Sequence, residues 1–278
     1  MANYTIPATR SVRRTQLDAT IWGREIFETS VAPKLNRADE HLSALATEMR
    51  DVLTSEEKCG LGRRVSEDGT VLTWHFGFRD VSPLSRWGTI IGDVVHNLRS
   101  GLDSAVFALA VHHHLSPRPP NERALAFPIA DSIEAWRKVK ERIKGIGTEA
   151  AGAIRQNQPF ETHNPTLAIL NRLSNLDKHT AIHLAHAAVQ GAEIPLIGSR
   201  GKLLHTVIPE GAILSDTTPA IELTFSEANP EFAPRFPVQI RMLISDGMGW
   251  VDPEDFLIAA VAEVRRIAQE LKKFVLPK

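Results

Sequence analysis

The run from Ser82 to Val111, SPLSRWGTIIGDVVHNLRSGLDSAVFALAV, constrains this chain more than any other segment. It reads as a long helix with a polar side that a helix buried all round should lack. At about 100° per residue, Asp93, His96, Asn97, Arg99, Ser100, Asp103 and Ser104 fall on one arc. Ile91, Val94, Val95, Leu98, Leu102, Ala105, Val106 and Leu109 fill the opposite arc, and beyond Ser104 the helix is apolar on every side. Ser82 reads as its N-cap with Pro83 in the first turn, where a missing amide donor costs nothing. Asp93, His96, Arg99 and Asp103 follow one another at spacings of three, three and four, so neighbours can interact along one face. Charged groups beside a core demand partners, so a partly buried polar constellation is expected here.

The flanking sequence predicts more helix. Residues 1–16 lack periodicity and read as a loosely held arm, and Thr20 to Val31 reads as a helix ending before Pro33. Asn36 then caps an amphipathic helix carrying Leu42, Leu45, Met49, Val52 and Leu53. LGRRV and TVLTWHFGF, joined by SEDG, form a hairpin signature with Asp68-Gly69 as the turn. Further helices are predicted over Ser132 to Lys144, stopped by Gly145 and Gly147, over Glu149 to Gln156, and after the Asn164-Pro165 cap. In that last helix Leu167, Leu170, Leu173 and Leu176 face inward. From Ala181 to Ile244 the texture is that of an antiparallel meander, and Asp252-Pro253 opens a final helix.

The expected fold class is therefore α+β: a helical bundle with an inserted β-hairpin, and a C-terminal antiparallel β section closed by a final helix. Along the chain this divides into an arm and short helix (1–35), the bundle (36–180) with its hairpin (60–79), the β section (181–250) and a C-terminal helix packing on the bundle (251–278).

Thirty-two Lys and Arg nearly balance 33 Asp and Glu, so no global basic field argues for nucleic acid, and any such contact must come from a local patch. The one such run is WRKVKERIK, where Arg137, Lys140 and Lys144, with Lys138 and Arg142 beside them, either contact RNA phosphates or form a solvated face. No DNA signal accompanies it. One cysteine, Cys59, excludes an internal disulfide and cysteine-rich zinc sites. His179, His183 and His186 have a spacing that could suit zinc on a helix, but the segment reads as strand after Thr180, which puts His183 and His186 on opposite sides. No metal and no cofactor are expected. GxSxG, GxxxxGK[ST] and GxGxxG signatures are absent, as is any stretch of the roughly 20 apolar residues a membrane span requires. A cytoplasmic, reduced setting is expected.

A second polar segment, Arg172, Asn175 and His179, lies on one helical face if the helix runs that far, with Asp177 and Lys178 beside it. The blocks GDVVHNLRSGLD, AFPI, QNQPF and LSNLDKH, spanning Gly92 to His179, resemble in that order a group of bacterial and phage proteins without an established activity. That group carries a GD-xx-HNLRSALDH block and an N-x-DKHR block. It is in turn similar, in an Arg-x4-His pattern on a bundle helix, to the HEPN superfamily, whose members are often metal-independent ribonucleases of toxin and phage-defence systems. The resemblance implies a HEPN-like bundle and a site built in a homodimer, in which an arginine polarises the scissile phosphate and a histidine does acid–base work. Taken with the spacings along the two polar segments, it makes Arg99, His96, Asp103, Arg172 and His179 the candidate catalytic residues. The chain departs from the pattern where the histidine should follow Arg99, because position 104 is Ser104, and a serine cannot transfer protons near neutral pH as a histidine does. Two readings stand. One is a ribonuclease; the other is a non-catalytic binding or assembly module whose polar stripe is structural.

Overall fold

The computed structural model describes residues 21–177, 182, 184–190, 196–207, 218–233 and 239–276. The protein is an α+β chain that separates into two compact units, and neither unit is a single stretch of sequence. The first comprises Met1–Leu42, Gly92–Thr180 and Asp255–Lys278, and the second Ser43–Ile91 and Ala181–Glu254. Among the described residues no helix is long and apolar enough to cross a membrane.

The helical unit contains the early part of helix α1 (Ala32–Leu53) and most of α2 (Ser82–His114). It also contains α3 (Ile133–Val139), α4 (Thr148–Gln156), the single turn α5 (Pro159–Thr162), α6 (Thr166–Asp177) and most of α7 (Pro253–Lys272). Pro33 does not end a helix. Residues 21–26 are helical, Phe27–Val31 form a π-helical turn, and the helix continues from Ala32 without a break, so Asn36 lies inside a helix and caps nothing. The wide turn, in which the Ala32 amide donates to the Phe27 carbonyl, makes room where the Pro33 ring would meet the preceding turn and where its missing N–H leaves a carbonyl free.

The start of α2 also differs in detail. Its capping carboxylate belongs to Asp80, which accepts from the Ser82 amide at 2.9 Å and the Ser82 hydroxyl at 2.6 Å, and these bonds hold Asp80 below the usual carboxylate range. The apolar arc of α2 is core: Val94, Val95, Leu98, Leu102, Ala105 and Val106 are fully buried. The predicted Asn164 cap forms, and two more helix starts are capped in the same way. Ser132 accepts from the Ala135 amide, Asn164 from Thr166, and Asp252 from Glu254. Leu167, Leu170 and Leu173 are buried on α6, with Leu176 half-buried. Helix α7 is held to the first helical segment by Lys272–Glu28 at 2.6 Å and by Arg265, which bonds Asn36 and Asp39.

In the second unit, β1 (Cys59–Val65) and β2 (Val71–Phe78) make the predicted hairpin. Its turn is tied by Asp68, whose carboxylate accepts from Ser66 and Thr70, while Gly69 takes a φ of +72°. The hairpin is not an insertion served only by helices. Strand β2 pairs with β5 (Ile221–Phe225), giving one antiparallel sheet in the order β1-β2-β5-β4, with β4 at Leu203–Val207. The reason is burial: the alternating Leu72, Trp74 and Phe76 find their cover in Ile221, Leu223, Phe225 and Phe232. A second antiparallel sheet, in the order β3-β6-β7, joins Leu184–Gln190, Gln239–Ser245 and Trp250–Val251. The β section is thus two sheets rather than one meander, because β2 takes up one set of its strands.

Candidate functional site

Arg99 is the centre of the polar side of α2. Its side chain is only 12% exposed, and its guanidinium pairs with Asp103 at 3.5 Å. Burial, opposed by Asp103 and aided by the nearby Arg142, lowers its proton affinity. Asp103 does a second job, accepting from the Phe127 amide at 2.8 Å. One turn back, Asp93 and His96 are both exposed, and no bond joins them among the described residues. Ser104 stands where the HEPN pattern asks for a histidine, and it receives the Lys34 ammonium at 2.6 Å and the Ser30 hydroxyl at 3.2 Å. Burial lowers the Lys34 proton affinity, and the nearby Asp103 carboxylate partly restores it.

The four sequence blocks meet through these bonds. The block on α2 holds AFPI through Asp103 and Phe127. AFPI is held in turn by Gln158, which is fully buried and fully used: Oε1 accepts from the Ala130 amide at 2.9 Å, and Nε2 donates to the Pro128 and Ile154 carbonyls at 3.0 Å. Asn157 beside it donates to Ala153 and to Glu270 on α7 and accepts from Arg266, so QNQPF reaches the last helix as well. LSNLD closes the set. The Asp177 carboxylate occupies the space a side chain at position 92 would need, so it would have to swing aside for any residue larger than Gly92. Each block therefore has a packing reason for its residues.

Of the residues expected to share a catalytic site, the structure pairs Arg99 with Asp103 and leaves His96 exposed on the next turn of the same helix. Arg172 is half-buried on α6, within the segment that Asp177 brings to the Gly92 turn. His179 lies outside the described residues, as do Lys178 and His183. Among the described residues no group of three His, Cys, Asp or Glu side chains is placed to hold a metal.

The basic run forms a different feature. Arg137, Lys138, Lys140, Arg142 and Lys144 are all exposed over α3 and the 3₁₀ turn Lys140–Ile143 that follows it. Their segment ends in Gly145 and Gly147, with φ of +95° and +90°, conformations that only glycine adopts at low cost. Helix α4 begins immediately after. Trp136, Lys140, Glu141, Lys144, Gly147 and Thr148 line a cavity of about 540 Å³ here, with His113 from the end of α2. Among the described residues the anion in that wall is Glu141, 4.0 Å from Lys144.

Sequence reasoning named the cations but missed what surrounds them. His113 and His114 are exposed at the end of α2, where His113 lines the cavity and His114 lies beside Gly145. Lys34 and Ser30 were hidden by the expected break at Pro33, and the signal that could have found them is the unbroken apolar spacing of Phe27, Val31, Leu35 and Ala38. No protein family, curated protein or solved structure matches the chain.

Proposed function

We propose that this protein is a non-catalytic RNA-binding module. It grips the phosphate backbone with the basic segment 137–144 and the cavity at its end, on a scaffold whose Arg99/Asp103 seam is structural. The observation that carries this reading is the exposure of five cations within eight residues, leading into a cavity with Lys140 and Lys144 in its wall. Lysines at a surface release counterions when they meet phosphates, and this supplies affinity without sequence readout. The near-zero net charge of the chain confines the attraction to that patch. A cytoplasmic setting, with RNA at hand and Cys59 reduced, suits the reading.

The test is a titration of labelled single-stranded RNA, with single-stranded DNA alongside, against the wild type and Lys140→Ala/Lys144→Ala. Binding that weakens with salt is expected. The double variant should bind more weakly and flatten the plot of log K against log salt by about 1.4, near 0.7 per lost contact. Equal binding by the variant would sink the reading.

The ribonuclease reading draws on one observation, the approach of Asp177 to Gly92, which brings the LSNLD block beside the turn that carries His96. It is tested in the same tubes. Metal-free cleavage of the RNA that is lost in His96→Ala or His179→Ala, with unchanged melting, would establish it. Intact RNA supports the binding module.

A further inference from the structure

We propose that Lys34, Ser30, Ser104 and Arg142, with Arg99 behind them, form a second site in the helical unit, one that takes a phosphate dianion. This goes beyond the RNA-binding reading and does not depend on it. Lys34 and Ser30 come from the first helical segment and Ser104 from α2, and the three polar heads already converge, with the ammonium 2.6 Å and the Ser30 hydroxyl 3.2 Å from Ser104 Oγ. Two hydroxyls and an ammonium offer the donors that a phosphate oxygen needs.

The charges around them do not balance. Among the described residues Asp103 is the carboxylate acting on both Lys34 and Arg99, and Arg142, whose carbonyl accepts from the Ala126 amide next to the Asp103-bound Phe127, adds a third cation that repels Arg99. Two positive charges are thus left over among these groups, with Arg142 on the solvent side, and a monoanion would neutralise only one of them. The enclosed Nη1 of Arg99 has no hydrogen-bond acceptor among the described residues, so Arg99 acts on the ligand through its field rather than by contact. Asp103 opposes an anion, but its carboxylate is engaged by Arg99 and the Phe127 amide, while Arg142 is exposed and reaches solvent. Burial already disfavours the charged forms of both Lys34 and Arg99, and an arriving dianion relieves that cost.

The experiment is thermal unfolding of the full chain in inorganic phosphate, against chloride at matched ionic strength. Tm should rise by about 2–4 °C once phosphate exceeds its Kd tenfold. Arg142→Gln, at an exposed position that should not disturb folding, and Lys34→Met should each abolish the rise, whereas Lys140→Ala/Lys144→Ala should keep it. No rise in the wild type, or a rise that persists in both Arg142→Gln and Lys34→Met, overturns the site. A parallel titration distinguishes two sources of the same chemistry. If 5′-phosphorylated RNA binds more tightly than its 5′-hydroxyl counterpart, and Lys34→Met removes the difference, the site holds a strand end. Equal binding of the two with the thermal shift intact identifies free phosphate. Failure of RNA binding with the phosphate shift retained would overturn only the RNA reading.

Discussion

At the scale of single residues, Asp103 ties the polar side of α2 into the fold. One carboxylate serves as counter-ion to a buried guanidinium and accepts from a loop amide at the same time, so removing it strands the Phe127 amide and leaves the Arg99 charge uncompensated. Asp103→Ala should lose about 1.5–3 kcal/mol in urea unfolding, the range for a hydrogen bond to a charged group. A change within a few tenths would show that the seam is ornamental. His112 makes a second residue-level case. Burial first, then the neighbouring His113, hold its pKa below the ordinary value, and its Nδ1 is enclosed without a partner among the described residues. The unfolded chain therefore takes up this proton more readily than the folded one. The corresponding stability is complete above about pH 6.5 and is lost as pH falls through the lower folded value. His112→Gln should flatten the decline of Tm below pH 6.5, and an unchanged profile would remove His112 from the account.

At the scale of elements, the turn between α3 and α4 depends on two backbone conformations that side chains resist. Gly145→Ala adds strain at φ +95° and a collision with His114, and Gly147→Ala adds strain at φ +90°. Each should cost about 1–3 kcal/mol and weaken RNA binding along with stability. Retention of both would mean that the turn does not shape the cavity. Elements are also where the sequence was most legible. The 3.6-residue period of α2 and the two-residue period of β2 declare which faces are buried, and both are buried in that sense. Asp68-Gly69 and Asn164-Pro165 announce a turn and a cap through chemistry confined to a few neighbours. Pro33 misled because its usual effect, ending a helix, was absorbed by a π turn that local propensity does not encode. The bonds that give the motif blocks their meaning were illegible for another reason. Asp103 to Phe127 and Asn157 to Glu270 join segments far apart in the chain, and no spacing rule specifies such pairs.

At the scale of the whole molecule, the chain order does not follow the compact units. The hairpin belongs with strands more than a hundred residues later, and the last helix belongs with the first. The polar residues that look like a catalytic stripe lie in the helical unit, where Asp103 ties AFPI to α2, while five exposed cations lie along the 137–144 edge. In the proposed function, recognition and architecture fall to different parts of one unit. The most direct test is the affinity of single-stranded RNA measured between about 50 and 200 mM salt for the wild type and Lys140→Ala/Lys144→Ala. The account predicts salt-dependent binding, RNA recovered intact, and a log–log slope flattened by about 1.4 in the variant. Binding that the variant leaves unchanged, or RNA cleaved without metal in a His96-dependent manner, would contradict it.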